Sequence, residues 1–445
     1  MLGISLADAS STTGGAMYTE ATRSLHPRIM MYSQDGLGLG HMRRTSSIAR
    51  QLLTARPDAC VLTLADSRLG QFFEAAPNHD YIKLPSVLKV GPGNWKAASL
   101  PIPFADVHKL RQDMIRSAVL SFQPHILLVD HMPHGAMGEL IPTLEALKAT
   151  GADTKIVLGL RDILDAPDVV QQRWRLEGAY EAIERYYDLV LIFGNRDTFD
   201  IAEQYQFPSQ VARRLHYCGY VCTPEIARYT TRARTKYLAG TRPDTKFIVA
   251  MAGGGADGYP MMRAMLDALP QIQAAQPCVL LQVAGPFMPP ELRRDLEARA
   301  RNLQARVVVS VSDTLSYIDA ADLVVAMAGY NTTMEILRSG KQAIMIPRSG
   351  PSAEQRMRTS RFAARGWLDM VDPDDLSGDT VAQAVLSTLS RGPAEIGQDR
   401  PTVQGLNDAV DQLGALLPST LVVHGAQTQP VLAPIRQSAL LKSAA

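Results

Sequence analysis

Three short stretches of this sequence place glycine and polar side chains directly behind an apolar run. The first is Gly36–His41, behind Arg28–Ser33, the second is Gly253–Gly258, and the third is Gly329–Glu335. Glycine lets backbone N–H groups approach a phosphate, and a helix that begins there adds the positive end of its dipole. The sequence therefore predicts three phosphate-binding turns. A plain tight turn between a strand and a helix is the alternative, because it uses the same residue types.

The first turn carries charges that indicate a bound anion. Gly38 and Gly40 are followed by His41, Arg43 and Arg44. Cations in the first turn of a helix oppose the helix dipole, so their presence favours a nearby diphosphate or carboxylate. At the mouth of a cleft, His41 is suited to act as a general base or to contact a phosphate. A hydrogen-bonded structural histidine is the alternative.

The second turn matches the spacing G-x-G-x-x-G, which is typical of dinucleotide-binding proteins. Those proteins also need an acidic residue at the end of the next strand to bind a ribose. Here that strand ends in Ala284-Gly285-Pro286, which disfavours a nicotinamide, and we expect no cofactor. Asp66 ends a strand in the first half and keeps a dinucleotide alternative open. The candidates for binding a diphosphate are the amides of Gly253, Gly254 and Gly255.

The third turn, which starts at Gly329, opens a predicted helix at the end of an apolar strand. Asn331, Thr332 and Thr333 could cap this helix and also donate hydrogen bonds to a phosphate. Glu335, one turn into the helix, could accept two ribose hydroxyls. An ordinary N-cap followed by a first-turn acid has the same composition, so both interpretations stay open.

Further polar residues follow the ends of other predicted strands. Glu354 and Gln355 together offer the acceptors and donors that sugar hydroxyls need, although an exposed helix start would look the same. Asp130 and Asp162 are alternative candidates for the general base. The pattern Asp130-His131-x-x-His134 is not expected to bind a metal, because Pro133 would break the helix that could align the two histidines.

Strands and helices alternate along most of the chain, which is typical of parallel sheets covered by helices. The strands predicted in the first half are Arg28–Ser33, Cys60–Ala65, His125–Asp130, Lys155–Leu160 and Leu189–Phe193, with helices at Arg43–Ala55 and Ala136–Ala149. The strands predicted in the second half are Phe247–Met251, Val279–Ala284, Val307–Val311, Leu323–Met327 and Ala343–Pro347. The stretch Pro85–Phe104 is predicted to be a long loop.

The predicted fold class is α/β, with two Rossmann-like domains that face each other across a cleft. We expect a disordered extension at residues 1–27, a first domain at 28–222 and a linker at 223–244. A second domain at 245–395, a C-terminal helix at 396–414 and a flexible tail at 415–445 would follow. The 445 residues are sufficient for two such domains.

Composition excludes several classes of partner. The net charge is +1, so nothing in the total charge favours a nucleic acid. No stretch approaches the ~18 consecutive apolar residues of a membrane helix. The four cysteines, Cys60, Cys218, Cys222 and Cys278, form no C-x-x-C pair, so we expect neither a zinc site nor a disulfide framework, as in a reducing cytoplasm.

Together these residues resemble the GT-B glycosyltransferases, and family 28 in particular. That family includes the N-acetylglucosaminyltransferase that completes the peptidoglycan lipid precursor. The resemblance covers roughly residues 28–392 and is carried by Gly36–Arg44, by Gly253–Gly258 and above all by Ala321–Glu335, after which Pro347 and Gln355 follow in the expected order. It implies that the second domain binds a UDP-sugar and the first domain an acceptor.

The resemblance also implies a role for individual residues. Glu335 would bind the ribose, Thr332, Thr333 and the amides of Gly253–Gly255 the diphosphate, and Gln355 the sugar. His41 would lie across the cleft near the reaction centre. The first turn departs from the pattern of the peptidoglycan enzyme, since it ends Gly-His-Met-Arg-Arg, so the lipid acceptor does not carry over.

We therefore predict an inverting, metal-independent transfer of a sugar from a nucleotide-sugar, UDP-linked by resemblance, to an unidentified acceptor. Lipid carriers and polysaccharide precursors are both candidate acceptors. A UDP-sugar hydrolase or epimerase on the same fold is one alternative, and a non-catalytic nucleotide-sugar-binding protein is another. The expected location is the cytoplasm, either free or peripheral to the inner face of a membrane, which Lys89 and Lys96 could contact.

Overall fold

Two parallel sheets dominate the part of the protein that the computed structural model describes. The described residues are 26–34, 40–67, 75–91, 94–311, 313–391, 400–401 and 403–418. The predicted extension and tail, and the turn at residues 35–39 with Gly38, lie almost entirely outside them. Within the described residues, 26–417 form one compact unit.

The first sheet has seven strands in the order β3-β2-β1-β6-β7-β8-β9, all parallel. Its strands are β1 (Arg28–Ser33), β2 (Cys60–Ala65), β3 (His79–Lys83), β6 (Ile126–Asp130), β7 (Lys155–Arg161), β8 (Leu189–Phe193) and β9 (Leu215–Tyr217). The connecting helices are α1 (Gly40–Ala55), α2 (Phe104–Phe122), α3 (Ile141–Ala149), α4 (Pro167–Glu177), α5 (Ala179–Tyr186), α6 (Ile201–Gln204) and α7 (Ser209–Ala212).

The second sheet has six parallel strands in the order β12-β11-β10-β13-β14-β15. Its strands are β10 (Lys246–Met251), β11 (Cys278–Val283), β12 (Ala305–Val308), β13 (Leu323–Ala326), β14 (Ala343–Met345) and β15 (Asp369–Met370). The helices around it are α8 (Thr230–Leu238), α9 (Tyr259–Ala275), α10 (Pro290–Ala300), α11 (Thr314–Ala320), α12 (Tyr330–Ser339), α13 (Glu354–Ala363) and α14 (Gly378–Arg391), and α15 (Gly405–Ala415) follows. The predicted α/β fold with two Rossmann-like sheets is confirmed.

The strand order reverses once in each sheet, and the predicted turns follow these reversal points. In the first sheet the chain leaves β1 in one direction and later continues from β6 in the other, and in the second sheet β10 and β13 have the same relation. Ligands of open α/β sheets bind outside the carboxyl ends of the strands at such a switch point. His41 and Asp130 therefore belong to one switch point, and the turns at Gly253 and Gly329 belong to the other.

Three connections differ from the sequence-based expectation. The stretch Pro85–Phe104, expected to be a loop, contains a hairpin of β4 (Val87–Gly91) and β5 (Asn94–Ala97). Helix α8 lies within the expected linker. Helix α15 follows the second sheet in the sequence but packs against α1 of the first, where Gln51 donates to Asn407 over 2.9 Å. No described helix is long and apolar enough to cross a bilayer.

A buried ion-pair network ties α2 to the first sheet. Arg111 donates to both carboxylate oxygens of Glu139, at 2.5 and 2.6 Å, and to Asp66 at 3.3 Å. The Tyr32 hydroxyl donates to Glu139 over 2.5 Å, and all four side chains are buried. Asp66 is therefore held by an arginine rather than presented to a ribose, which removes the support that it gave to the dinucleotide alternative.

Replacing Arg111 by methionine is expected to lower the free energy of unfolding by about 3–5 kcal/mol. The change removes the cation that pairs with the buried carboxylates of Glu139 and Asp66, and the penalty for leaving these charges uncompensated exceeds the lost attraction. Urea unfolding followed by circular dichroism measures it. Arg116→Met on the exposed face of the same helix is the control, and equal effects of the two substitutions would contradict the assignment.

Candidate active site

The carboxyl ends of the two sheets face each other, and α1 and α12 contact across the cleft between them. The Asn331 amide donates to the carbonyl oxygen of Gly40 over 3.0 Å. Beside it, the Arg43 guanidinium lies 2.5 Å from Oε1 of Glu335. The sequence predicted these residues for opposite sides of one site, and the structure brings them into direct contact.

His41 and Asp130 form a hydrogen-bonded pair on the first-sheet side of the cleft. Nδ1 of His41 lies 2.7 Å from Oδ2 of Asp130, and the histidine side chain is 22% exposed against 2% for the aspartate. Arg44 donates to both oxygens of the same carboxylate, each at 2.8 Å. Burial alone would raise the pKa of Asp130, but Arg44 and His41 hold it well below its usual value. An ionised carboxylate thus orients a partly exposed imidazole.

Neither aspartate that was considered as an alternative base is placed to act as one. Asp130 lies behind His41 and is fully engaged by Arg44. Asp162 is 2% exposed and accepts hydrogen bonds of 2.6 and 2.9 Å from Arg358, which lies on α13 of the second sheet. The guanidinium of Arg358 occupies both oxygens of this carboxylate, so Asp162 does not face a substrate. We therefore correct the assignment: Asp130 positions His41, and Asp162 joins the two sheets.

Tyr330, which the sequence did not single out, lies at the centre of the interface. Its hydroxyl donates to the carbonyl oxygen of Phe193 over 2.8 Å and accepts from the amide of Val221 over 2.9 Å. The guanidinium carbons of Arg44 and Arg358 lie 5.6 and 5.4 Å from its ring centroid, within the range of cation–π attraction. The tyrosine thus links the His41–Asp130–Arg44 group to the Asp162–Arg358 pair.

Glu335 is buried at the second-sheet side of the cleft. It is 1% exposed, and burial raises the pKa of its carboxyl while the charge of Arg43 opposes that effect. Its Oε1 pairs with Arg43, but its buried Oε2 has no hydrogen-bond partner among the described residues. Buried acceptors of this kind are rarely left unpaired, so Oε2 is suited to receive a hydroxyl of a ligand.

The N-terminus of α12 is available to an anion. Gly329 is its N-cap residue, and no side chain among the described residues caps it. The predicted capping is wrong: Thr333 donates back to the carbonyl oxygen of Gly329 over 2.9 Å, and Asn331 bonds to Gly40. Thr332 lies in the same first turn and is partly buried. The backbone amides of this turn therefore face the cleft with their dipole, as a diphosphate requires.

Two glycines of the turn at Gly253–Gly258 have a left-handed backbone conformation. Gly253 and Gly255 have φ angles of 62° and 89°, a region that other residues rarely adopt. A Cβ atom on Gly255 would lie 2.1 Å from the carbonyl oxygen of Ala284, whereas one on Gly253 would meet nothing within 4 Å. Gly254 accepts from the amide of Phe287 over 2.8 Å. The turn is thus pressed against the end of β11 while its Gly253 side stays open.

Gly255→Ala is expected to destabilise the protein by about 1–3 kcal/mol through overpacking, with about 1–2 kcal/mol more from the left-handed backbone. Gly253→Ala is expected to lose only the stability that the left-handed backbone conformation requires, because a Cβ atom there would contact nothing. Comparison of the two melting temperatures isolates the steric contact with Ala284. Equal shifts in the two variants would contradict the close packing.

Glu354 and Gln355 begin α13, but the structure gives them different partners from those predicted. Glu354 pairs with Arg161 at 2.9 Å across the interface and with Arg358 at 2.9 Å on its own helix. Burial would raise the pKa of Glu354, and the two arginines lower it below its usual value. Gln355 accepts from the amide of Arg348 over 3.1 Å. Glu354 therefore joins the two sheets and is not free to bind sugar hydroxyls in this conformation.

His131 lies in the cleft, where the sequence favoured a polar loop at residues 131–134 over a metal site. Its ring centroid lies 5.5 Å from that of His41, and its φ angle of 80° is unusual for a non-glycine residue. Burial, together with Arg161 and His41, lowers its pKa well below the usual value and keeps it neutral. Its expected companion in the rejected metal pattern, His134, instead lies 3.2 Å from the carbonyl oxygen of Gly178.

Comparison with known proteins identifies the family of the chain. Residues 248–413 match the glycosyltransferase family 28 C-terminal domain. The UDP-N-acetylglucosamine–N-acetylmuramyl-(pentapeptide) pyrophosphoryl-undecaprenol N-acetylglucosamine transferase of Acidothermus cellulolyticus is 29% identical over 303 residues, which are 66% of this chain and 79% of that protein. The protein is a GT-B glycosyltransferase of the family-28 type.

Other relatives of the same name share shorter segments. The chain is 27% identical over 162 residues to the enzyme of Geobacter sp. and spans 43% of its length. The match covers 36% of this chain. The chain thus spans less than half of the length of that relative.

Solved structures share the GT-B fold. Acinetobacter baumannii MurG has a TM-score of 0.54 at 14% identity, with 87% of this chain and 99% of that chain covered. Phytolacca americana UGT2, solved with UDP-2fluoro-glucose and pterostilbene, has a TM-score of 0.59 at 12% identity, and the match covers 87% of this chain and 99% of that chain. A structure titled as a putative UDP-N-acetylglucosamine 2-epimerase from Listeria monocytogenes has a TM-score of 0.58 at 10% identity, and the match covers 88% of this chain and 96% of that chain. At these identities the likeness concerns the fold alone.

Proposed function

We propose that this family-28 glycosyltransferase transfers a sugar from a UDP-linked donor to a hydroxyl group of an acceptor. The observation that carries the proposal is the pairing of His41 with Asp130 opposite the uncapped N-terminus of α12, where Glu335 holds an unpartnered buried oxygen. One side of the cleft can accept a proton, and the other can bind a nucleoside diphosphate. A single displacement at a sugar carbon needs both.

The donor site that we propose lies on the second sheet. Oε2 of Glu335 accepts a ribose hydroxyl, and the first-turn amides of α12, with Thr332, bind the diphosphate. Thr333 does not contribute in this conformation, because its hydroxyl and its amide both donate to the carbonyl oxygen of Gly329. The amides of Gly253 and Gly254 lie at the neighbouring strand end of the same switch point and support the same phosphates, whereas the amide of Gly255 donates to the carbonyl oxygen of Ala252 over 3.1 Å. We keep Gln355 as a candidate for the sugar, since it follows the next strand along the sheet.

The base that we propose is His41. When Nδ1–H donates to Asp130, Nε2 is the basic nitrogen, and Asp130 stabilises the imidazolium that forms. The acceptor O–H gives its proton to Nε2, its oxygen bonds to the anomeric carbon, and the bond from that carbon to the diphosphate oxygen breaks. The diphosphate leaves with the electron pair, and the dipole of α12 stabilises the charge. The configuration at the anomeric carbon is inverted.

If the substrate binds at this site, the contact between the two sheets must rearrange. Arg43 pairs with Glu335, and the cavity that these two residues line with Asn331 and Cys222 measures only about 10 Å³, room for about one water molecule. A nucleotide-sugar therefore enters by separation of the two sheets, after which Arg43 can move from the carboxylate to the diphosphate. Closure then excludes water from the reacting atoms.

We propose a lipid-linked acceptor as the first class to test, with a polysaccharide precursor as the second. The relatives of this chain are named for a pyrophosphoryl-undecaprenol acceptor. Val90, Leu100 and Ile102, in and after the β4–β5 hairpin, are 57%, 43% and 44% exposed, so the first-sheet side offers apolar surface. The same surface would place the protein at the face of a membrane.

Thermal shift with a panel of nucleotides and nucleotide-sugars tests the donor. Stabilisation by UDP and by one UDP-sugar, beginning with UDP-N-acetylglucosamine, supports the proposal, because a ligand raises the melting temperature by mass action. A response only to NAD or NADP, or to none of the compounds, contradicts it. UDP release that requires an added acceptor then identifies transfer, whereas release at the same rate without acceptor identifies hydrolysis.

A further inference from the structure

A cluster of three potential metal ligands lies at the far edge of the first sheet, four strands from β1. His216 belongs to the edge strand β9, and Cys218 continues it, with its amide bonded to the carbonyl oxygen of Ile192 over 2.9 Å. Residues two apart in a strand share a face. Asp408 comes from the first turn of α15, which returns from the second sheet. Three side chains from two distant parts of the sequence thus converge.

The three ligand atoms lie close together, and two of them are closer than a bound zinc ion would hold them. Nε2 of His216 lies 2.6 Å from Oδ2 of Asp408, and one ligand atom from each residue lies within 4.8 Å of the others. Zinc–ligand bonds of about 2.0–2.3 Å in a tetrahedron place ligand atoms about 3.3–3.6 Å apart. His216 and Asp408 therefore share a hydrogen bond in this structure, and their two atoms would move apart by about 1 Å to bind zinc. The partly exposed His216 and Asp408 leave access for the cation and for a water molecule.

The chemistry of the ligands selects among metals. A thiolate and an imidazole favour zinc over magnesium or calcium, which prefer oxygen ligands only. Zinc binds cysteine as the thiolate, so the Cys218 thiol would lose its proton when the metal binds.

We propose that His216, Cys218 and Asp408 bind one zinc ion, with water as the fourth ligand, and that the metal fastens α15 to β9. The contact is close even without it, since Gly405 at the start of α15 packs against the backbone of Gly219. The sequence favoured the absence of zinc because the spacing of Cys218 and Cys222 is wrong for a pair. The third ligand, Asp408, is distant in sequence, and only the return of α15 brings it near. This site is independent of the proposed transfer reaction.

Cobalt substitution tests the proposal on the full-length protein. The protein is stripped with a chelator and titrated with Co²⁺, which gives a thiolate-to-cobalt absorption band in the near ultraviolet when a cysteine binds it. We expect the band to saturate at about one Co²⁺ per chain, to be displaced by Zn²⁺, and to be accompanied by a higher melting temperature.

Matched substitutions assign the ligands. Cys218→Ser should abolish the band, and Cys222→Ser, which changes another buried cysteine four residues away, should leave it unchanged. Asp408→Asn, at a partly exposed position that tolerates the change, should weaken Co²⁺ binding at least about 10-fold while the circular dichroism spectrum stays the same. No band in the unmodified protein, a band that survives Cys218→Ser, or affinity unaltered by Asp408→Asn would each overturn the proposal.

Discussion

His41→Ala is expected to reduce kcat for sugar transfer by about 10²–10⁴-fold, the usual contribution of a positioned general base. The donor should still bind, because the proposed contacts to it come from α12 and from the turn at Gly253. The loss should therefore appear in kcat and leave the KM for the donor within a few-fold of its original value. Steady-state release of UDP in the presence of acceptor measures both constants.

The control for this prediction is His26→Ala. His26 is exposed and precedes β1, at the opposite edge of the sheet from the cleft. The His26→Ala variant should have an unchanged kcat. If His41→Ala retained more than about a tenth of the original kcat, then His41 would not be the base. Asp130 could not simply replace it, since Arg44 donates to both oxygens of that carboxylate and lowers its pKa.

Glu335→Gln is expected to weaken binding of UDP and of the UDP-sugar by about 10- to 100-fold, which corresponds to the loss of charge-assisted hydrogen bonds worth about 1.5–3 kcal/mol. Glutamine keeps the shape of the side chain, so the fold should not change. It removes the charge that Oε2 presents to a ribose hydroxyl. Isothermal titration calorimetry with UDP measures the affinity directly, without any need for an acceptor.

A matched acid on the surface provides the comparison. Glu225 also pairs with an arginine, Arg50, but its side chain is 48% exposed. Glu225→Gln should therefore leave the affinity for UDP unaltered. Unchanged UDP affinity in Glu335→Gln would mean that the buried carboxylate serves only the contact with Arg43, and the donor site would have to lie elsewhere in the cleft.

The sequence was sufficient to predict the sheet architecture because parallel strands in a doubly covered sheet are short, apolar and followed by helices. The predicted bounds of β1, β2 and β8 agree with the structure, and β10 differs by one residue at its start. The strands that the sequence did not reveal lie at an edge or in the hairpin. β3 reads His-Asp-Tyr-Ile-Lys, and its side chains are only partly buried, so it lacks the apolar pattern that marks a central strand.

The arginines of the interface show why the site was only partly predictable. Arg358 is four residues after Glu354, and this spacing places both on one face of α13, a signal that the sequence did contain. Its main partner, Asp162, is 196 residues away and belongs to the other sheet. Ion pairs between residues so far apart in the sequence depend on how the two sheets pack against each other. The residue type at the strand end therefore predicted Asp162 as a base, although in the structure it is an ion-pair partner.

The sequence by itself determined the class of the fold and the polar residues at its strand ends, because periodicity and turn chemistry act over a few neighbouring residues. Only the tertiary structure decided how those residues are used. In the tertiary structure His41 contacts an ionised Asp130, and Oε2 of Glu335 is buried without a partner among the described residues. Helix α15 packs against the first sheet beside His216 and Cys218. Burial and long-range contact set charge, orientation and access, and neither can be read from local spacing.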